Sequence, residues 1–218
     1  MLDPAKRLLA HVPLYIALQK GIGADRVRYR CFDRLDLKPG QTVLDIGCGP
    51  AYYLDRLPAV TYYGFDTDAG YIDWAKKRWG DRGDFRCEIF GDEHVAELPP
   101  ADAVVLLGLI HHLSDEQSRN LLRLAALAVA PGGHVVSVDP TFAPGQNRVS
   151  RWMSENDRGG YVRHPEQFTA LASEYFGEVE GEVVSDATRI PTTHWLMKMG
   201  SRKTAAPAPE PAASGTAS

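Results

Sequence analysis

A glycine-containing segment after an apolar run is the part of this sequence best suited to bind a ligand. Residues 43–51 read VLDIGCGPA, so apolar residues surround Asp45, and Gly47 and Gly49 flank Cys48. An apolar run that ends in closely spaced glycines is typical of a buried parallel strand turning into a helix. Glycine lets the main chain approach a ligand, and the N-terminus of the following helix attracts negative charge. The segment therefore predicts a binding loop for a nucleotide-like ligand.

A second group suited to ligand binding is Asp66, which follows the predicted strand 62–65. A carboxylate at this distance from a glycine loop can accept hydrogen bonds from both hydroxyls of a ribose, and the alternative is a residue that only ends the strand. Its charge repels a 2′-phosphate, which argues against NADP. Dinucleotide-binding loops need a third glycine where this chain has Tyr52, so a ligand with an adenosine and no pyrophosphate fits better.

Composition limits the class of protein. The chain has 218 residues and a formal net charge of −4, which argues against a dedicated nucleic-acid binder. No segment resembles a signal peptide, and no apolar stretch is long enough to cross a bilayer. The three cysteines form no Cys-x-x-Cys pair, which predicts neither a disulfide framework nor a metal site. We therefore expect a cytoplasmic protein of about one domain.

Hydrophobic patterning predicts strands that alternate with helices. The predicted strands are 41–46, 62–65, 85–90, 103–107, 134–138, 179–184 and 193–199, the last two as an antiparallel pair. The predicted helices are 14–20, 24–35, 52–57, 71–79, 115–129, 149–154 and 165–176. Ser114 and Gln117 form a capping-box pattern at the start of one helix. The alternation predicts a doubly wound, Rossmann-like α/β sheet, which binds ligands at the carboxyl ends of its strands.

The two ends of the chain differ from its centre. Residues 1–39 precede the first predicted strand and are expected to form a helical cap or lid, and 40–199 the Rossmann-like domain. Arg26, Arg30 and Arg34 stand four apart in the cap, either as a solvated stripe or as a site for an anionic group of a substrate. Residues 200–218 are rich in Ala and Pro and predict a disordered tail.

Four motifs follow one another along the chain: DIGCGPA at 45–51, GFDTD at 64–68, LGLIHHLSD at 107–115 and APGGH at 130–134. Together they resemble the motifs of class I S-adenosylmethionine-dependent methyltransferases. Within this class the sequence is similar to the small bacterial branch usually labelled type 11, and DRGGYVR at 157–163 resembles a recurring variant of that branch. The third glycine of the family's loop is Ala51 here. The resemblance implies a seven-stranded sheet, mostly parallel, whose last strand is antiparallel.

The resemblance also implies S-adenosyl-L-methionine as the cofactor and a set of residues around it. Those near its methionine part are Asp45, Gly47, Cys48, Gly49, Leu107 and Gly108, and those near its adenosine are Asp66, Thr67 and Asp92. In this scheme Asp66 holds the ribose hydroxyls, Asp45 lies near the ammonium group, and Asp92 lies near the adenine amino group.

Methyl transfer from a sulfonium mainly requires that the nucleophile is aligned with the methyl group in a dry site. A base is needed only for a hydroxyl or a protonated amine, and histidine titrates near neutral pH. The candidate catalytic residues are His111, His112, Asp139, Tyr161, Arg163 and His194. Four of them have a structural alternative: His111 or His112 could brace a loop, Asp139 could end a strand, and Arg163 could form a surface ion pair rather than bind an anionic substrate. Tyr161, Arg163 and His194 come from the two segments that are expected to roof the pocket.

The sequence therefore predicts a methyltransferase that acts on a small molecule, most simply at oxygen. One alternative is an NAD-linked oxidoreductase, against which Tyr52 argues. Another is a catalytically idle module that binds the cofactor, and a third is an enzyme that uses the cofactor differently, for example to cyclise a substrate. The oligomeric state is not predicted.

Overall fold

The computed structural model describes residues 12–185 and 187–203, which form a sheet with helices on both faces. The helices are α1 (Val12–Ile22), α2 (Ala24–Asp33), α3 (Ala69–Trp79), α4 (Asp92–Glu97), α5 (Asp115–Ala128), α6 (Arg148–Glu155) and α7 (Pro165–Ser173). The strands are β1 (Thr42–Ile46), β2 (Thr61–Phe65), β3 (Asp84–Arg86), β4 (Ala101–Leu107), β5 (Val129–Pro140), β6 (Phe176–Val184) and β7 (His194–Arg202). Short 3₁₀ turns span Leu54–Arg56, Gly80–Arg82 and Ile110–His112.

The sheet has seven strands in the order β3-β2-β1-β4-β5-β7-β6. β1 pairs in parallel with β2 on one side and with β4 on the other, so the strand order reverses at β1. β7 lies antiparallel between β5 and β6. The predicted Rossmann-like sheet, mostly parallel with an antiparallel last strand, is confirmed. Its reversal point is where open α/β sheets bind ligands.

Two hydrophobic layers bury the faces of the sheet, because successive strand residues point to opposite sides. In β4, Val105 belongs to the layer under α2 and α3, whereas Val104 and Leu106 belong to the layer under α5 and α7. All three side chains have no exposed surface. This double burial explains why the strand reads as a continuous apolar run.

Several predicted boundaries differ from the observed ones. The predicted helix 52–57 is wrong: only the 3₁₀ turn Leu54–Arg56 forms, because Ala51 before it has a positive φ of 46° and Leu57, the residue before Pro58, is extended. β3 is shorter than predicted because it lies at the sheet edge and pairs only with β2. β5 begins earlier, since Val129 pairs with Ala101 and a register shift precedes the next pairs. Pro131–Gly133 therefore lies within β5.

Other local signals are confirmed. The Ser114 hydroxyl accepts a hydrogen bond from the Gln117 amide, and the Gln117 side chain accepts one from the Ser114 amide, which closes the predicted capping box of α5. α6 and the antiparallel pair β6–β7 also form near the expected positions. β7 continues to Arg202, so the first residues assigned to the tail belong to the sheet.

The predicted cap is described only in part. Residues 1–11 and 204–218, which include most of the predicted disordered tail, lie outside the described residues. α2 packs on the sheet, because its Val27 and Cys31 belong to one hydrophobic layer. No helix in the described ranges combines the length and the apolar character needed to cross a membrane. The domain boundaries and the cytoplasmic location stay predictions.

Candidate active site

The glycine loop turns directly from β1 into the edge of a large cavity. Gly47 and Gly49 have φ angles of 77° and 55°, a region that favours glycine. A Cβ at Gly47 would lie 3.2 Å from the Leu109 side chain. The amides of Gly47 and Cys48 donate hydrogen bonds to the Phe65 carbonyl at 2.8 and 3.0 Å, which fixes the loop to the end of β2. Ala51, at the third glycine position, also has a positive φ of 46°.

Asp66 lies beside this loop at the end of β2. Its Oδ2 accepts a hydrogen bond from the Gly49 amide and its Oδ1 accepts one from the Asp68 amide, both at 2.8 Å. Burial raises the pKa of the Asp66 carboxyl above its usual value. Each carboxylate oxygen has a second lone pair, so the group can still accept hydrogen bonds from two hydroxyls in the cavity. This geometry fits the predicted ribose contact.

Asp45 is placed differently from the prediction. It has no exposed surface and does not line the cavity. Its Oδ2 accepts hydrogen bonds from the hydroxyls of Tyr62 and Tyr53 at 2.6 and 2.9 Å. Burial raises the pKa of its carboxyl to about 7. Asp45 therefore supports the glycine loop from behind.

Cys48 and Asp92 also lie outside the cavity lining. The Cys48 side chain is buried against Gly64, where an added Cβ would approach its Sγ to 3.0 Å. Asp92 begins α4 and makes two hydrogen bonds of 2.8 Å with Arg123, which lowers the pKa of its carboxyl. The cavity is instead lined from this part of the chain by residues 88–90. Thr67, Leu107 and Gly108 do line it, as predicted.

His111 is the best-positioned candidate base. It follows β4 in a 3₁₀ turn, lines the cavity and is almost fully buried. The Asp139 Oδ1 atom, at the end of β5, lies 2.8 Å from His111 Nδ1 and 3.1 Å from its amide nitrogen. This contact favours the tautomer with the proton on Nδ1 and leaves Nε2 to accept a proton. Asp157 Oδ1 lies 3.4 Å from that Nε2 atom.

His112 and His194 complete a group of three histidines at the cavity. The His112 ring lies 4.0 Å from the His111 ring, centroid to centroid, and its pKa is lowered by burial and then by the neighbouring His111. Burial lowers the pKa of His194 to about 4, so this ring is neutral near pH 7. Its Nδ1 atom is buried without a hydrogen-bond partner among the described residues.

Tyr161 and Arg163 do not line the cavity, contrary to the expectation that they roof it. The Tyr161 side chain is exposed, and its amide donates to the His111 carbonyl at 3.0 Å. Arg163 is buried and pairs with Asp115 at 2.8 Å, while Nη1 and Nη2 donate to the carbonyls of Ile110 and Leu113 at 3.2 and 2.7 Å. Both residues hold the His111 turn in place.

Some residues that line the cavity were not predicted from the sequence. Arg28 on α2 lines the cavity, whereas Arg26, Arg30 and Arg34 of the predicted basic stripe do not. Arg34 instead pairs with Glu182 at 2.8 Å. Asp157 was contained in the DRGGYVR motif but was not identified as a site residue. Trp152 and Met153 of α6 also line the cavity, and their hydrophobic character was the available signal.

The cavity has a volume of about 1050 Å³. This is at the upper end of the range for small-molecule sites, so it has room for a cofactor and an acceptor together. The loop glycines leave space that side chains would fill, and Asp66 offers its carboxylate where a ribose is expected. The described residues therefore fit an adenosine-containing cofactor.

Comparison with known proteins identifies the class. A family model described as "Methyltransferase domain" matches residues 23–175, and the chain belongs to this family. Its cofactor is S-adenosyl-L-methionine, as predicted. Membership of this family argues, as Tyr52 does, against the alternative of an NAD-linked oxidoreductase. The narrower assignment to the type 11 bacterial branch stays a prediction.

Curated relatives match part of the chain. It is 32% identical over 106 residues to "Probable tRNA methyltransferase 9B" of Mus musculus, covering 46% of this chain and 22% of that protein. It is 31% identical over 126 residues to "Acetylserotonin O-methyltransferase" of Mus musculus, covering 53% of this chain and 32% of that protein. The matched regions thus span less than a third of each relative, so the acceptor of the whole protein is a matter for proposal.

Solved structures agree on the fold. An O-methyltransferase family protein from Burkholderia thailandensis matches with a TM-score of 0.65 and 19% identity, over 92% of this chain and 63% of that one. A phosphoethanolamine N-methyltransferase of Haemonchus contortus, in complex with S-adenosyl-L-methionine, matches with a TM-score of 0.60 and 17% identity, over 80% of this chain and 52% of that one. At these identities the likeness concerns the fold alone.

Proposed function

We propose that the protein transfers a methyl group from S-adenosyl-L-methionine to an oxygen atom of a small molecule, with His111 as the general base. The observation that carries this proposal is the contact between His111 and Asp139. A buried carboxylate 2.8 Å from Nδ1 fixes the ring and its tautomer, and Nε2 remains to accept a proton beside the cavity.

The residues that surround the cavity have separate roles in the proposed reaction. The loop around Gly47 and Gly49 and the carboxylate of Asp66 would hold the cofactor, which supplies an electrophilic methyl group on a positively charged sulfur. His111 Nε2 takes the hydroxyl proton of the acceptor as the acceptor oxygen forms its bond to carbon. The carbon–sulfur bond of the cofactor would break with its electron pair left on sulfur. Asp157 provides negative charge beside the protonated ring.

The walls of the cavity support a small acceptor with an apolar body. Leu109, Leu113, Trp152 and Met153 line it together with the histidines. Ligand sites of this kind are mostly apolar and carry a few polar groups that fix orientation. An anionic group on the acceptor would need a cationic partner other than Arg163, whose guanidinium is bonded to Asp115.

The test combines labelled S-adenosyl-L-methionine with a metabolite extract and, separately, with total tRNA, followed by mass spectrometry. We expect label in a small molecule as a methyl ether, with S-adenosylhomocysteine as the second product. Label in tRNA alone would refute the acceptor class, and the relatives named as probable tRNA methyltransferases make this control necessary. Cofactor binding without any transfer would indicate an idle module, and 5′-methylthioadenosine would indicate a different use of the cofactor.

A further inference from the structure

Arg28 is a partly buried cation whose guanidinium lies 5.6 Å from the centre of the Tyr52 ring. It lies on α2, lines the cavity, and its side chain is only 16% exposed. Its Nη1 atom donates to Gln19 Oε1 at 3.1 Å and to the Tyr52 hydroxyl at 2.5 Å, and both groups are neutral. Among the residues that the structure describes, its Nε and Nη2 atoms make no hydrogen bond.

The nearest carboxylate does not neutralise Arg28 well. Asp25 Oδ1 lies 3.9 Å from Arg28 Nη1, and the same oxygen accepts a hydrogen bond of 2.6 Å from the Tyr52 hydroxyl. A second cation, Lys20, has its Nζ atom 6.0 Å from the centre of the Tyr52 ring. A buried guanidinium is costly unless an anion pairs with it through good hydrogen bonds. A bound anion would therefore complete this cluster.

The position of Arg28 connects it to the cofactor loop. Its partner Tyr52 directly follows Ala51, the last residue of the glycine segment, and the Tyr52 side chain is buried. Arg28 lines the same cavity as Gly47, Gly49 and His194. S-adenosyl-L-methionine carries one anionic group, the carboxylate of its methionine part. The methionine part is attached to the ribose on the side opposite to the adenine. A planar guanidinium with a free edge suits a carboxylate, which it can bind through two parallel hydrogen bonds.

We infer that Arg28, held by Gln19 and Tyr52, forms a carboxylate-binding subsite of the cavity, and that the carboxylate of the bound cofactor occupies it. The inference rests on the assigned cofactor but not on the acceptor or on the base. An acceptor carboxylate has the same chemistry, so the experiment must distinguish the two sources.

The first arm measures binding by calorimetry. Wild type, Arg28→Met and Arg28→Lys are each titrated with S-adenosyl-L-methionine and with its decarboxylated analogue. We expect wild type to prefer the carboxylated ligand by about 10- to 100-fold, the range for hydrogen bonds to charged groups. Arg28→Met should lose this preference and bind both ligands equally. Arg28→Lys keeps the charge but lacks the two parallel N–H donors, so it should recover part of the preference.

The second arm tests the acceptor as the source. Protein saturated with S-adenosylhomocysteine is titrated with benzoate and with benzamide, which has the same ring without the charge. If Arg28 binds an acceptor carboxylate, wild type should prefer benzoate and Arg28→Met should not. That outcome would keep the carboxylate subsite and replace the cofactor as its occupant. Arg26→Met is the matched control, because Arg26 is exposed on the same helix and lies outside the cavity lining.

Two results would overturn the inference. One is an equal loss of affinity for both donor ligands in Arg28→Met, with no preference for benzoate in any protein, because this would indicate a purely structural arginine. The other is a wild type that prefers neither carboxylate-bearing probe, which decides the question even if Arg28→Met does not fold. If wild type fails to bind either donor ligand, the cofactor assignment is wrong instead.

Discussion

The buried carboxyl of Asp45 makes a specific prediction about how stability depends on pH. Burial raises its pKa from 3.8 to about 7, although two tyrosine hydroxyls donate to it. Between these pH values the folded protein holds a proton that the unfolded chain has released, so the free energy of unfolding falls as pH rises. The increase in pKa corresponds to about 4 kcal/mol over this window.

His194 acts in the opposite direction and would hide this effect in the wild type. Burial lowers its pKa from 6.5 to about 4, so the unfolded chain binds a proton there that the folded protein does not. Its contribution to the free energy of unfolding therefore rises by about 3 kcal/mol between pH 4 and 6.5. Between pH 4 and 6.5 the contributions of Asp45 and His194 to the pH dependence of the free energy of unfolding nearly cancel. Each contribution must therefore be measured as a difference between a variant and wild type.

The assay is urea unfolding of wild type, Asp45→Asn and His194→Gln at several pH values between 4 and 8. Asparagine keeps the shape of Asp45 and an oxygen for both tyrosine hydroxyls. The unfolding free energy of Asp45→Asn relative to wild type should increase by up to about 4 kcal/mol from pH 4 to 7 and then stay level. For His194→Gln the relative value should decrease between pH 4 and 6.5. An Asp45→Asn difference that is independent of pH would refute the reasoning.

Three further predictions concern the site. Asp66→Ala should weaken cofactor binding by about 10- to 100-fold in calorimetry, and an unchanged affinity would refute the predicted contact between Asp66 and the ribose. Asp139→Asn should reduce kcat by about 100-fold or more while cofactor affinity stays the same, and a wild-type kcat would exclude His111 as an oriented base. Gly159→Ala should lower both activity and Tm, because its Cβ would overlap the His111 carbonyl and ring. Gly21→Ala is its control, since among the described residues no atom outside its own helix backbone lies within 4 Å of the added Cβ. Intact activity in Gly159→Ala would show that the close contact between Gly159 and His111 is not needed.

The sequence predicted the sheet and the glycine loop beside the cavity because both depend on local pattern. A strand buried on both faces must be continuously apolar, as in β4, and a loop that approaches a ligand needs glycines such as Gly47 and Gly49. The capping box of α5 is equally local. The wrong helix prediction at 52–57 shows the limit, since the apolar pattern does not reveal the positive φ with which Ala51 leaves the glycine loop.

The remaining site residues could not be selected from pattern because their roles depend on which helix face meets the cavity. Three arginines four residues apart suggested one functional stripe, yet Arg28, which lies off that stripe, lines the cavity. Asp92 follows β3 in sequence but begins a helix that turns its carboxylate to Arg123. A carboxylate after a strand is thus a ligand contact only when the next element leaves it facing the cavity.

The turn that carries His111 shows why polar residues near a site are easily misassigned. It is held by Asp139 on β5, by the Tyr161 amide, and by Arg163, which joins the Ile110 carbonyl to Asp115. Tyr161 and Arg163 were expected at the substrate because their segment was expected to roof the pocket. Their bonds are to the backbone of the turn and to a neighbouring helix, so their effect on a substrate passes through the position of His111. For the same reason, a change of the Arg163 side chain should reduce kcat without altering the affinity for the cofactor, whereas a change at Arg28 should do the reverse.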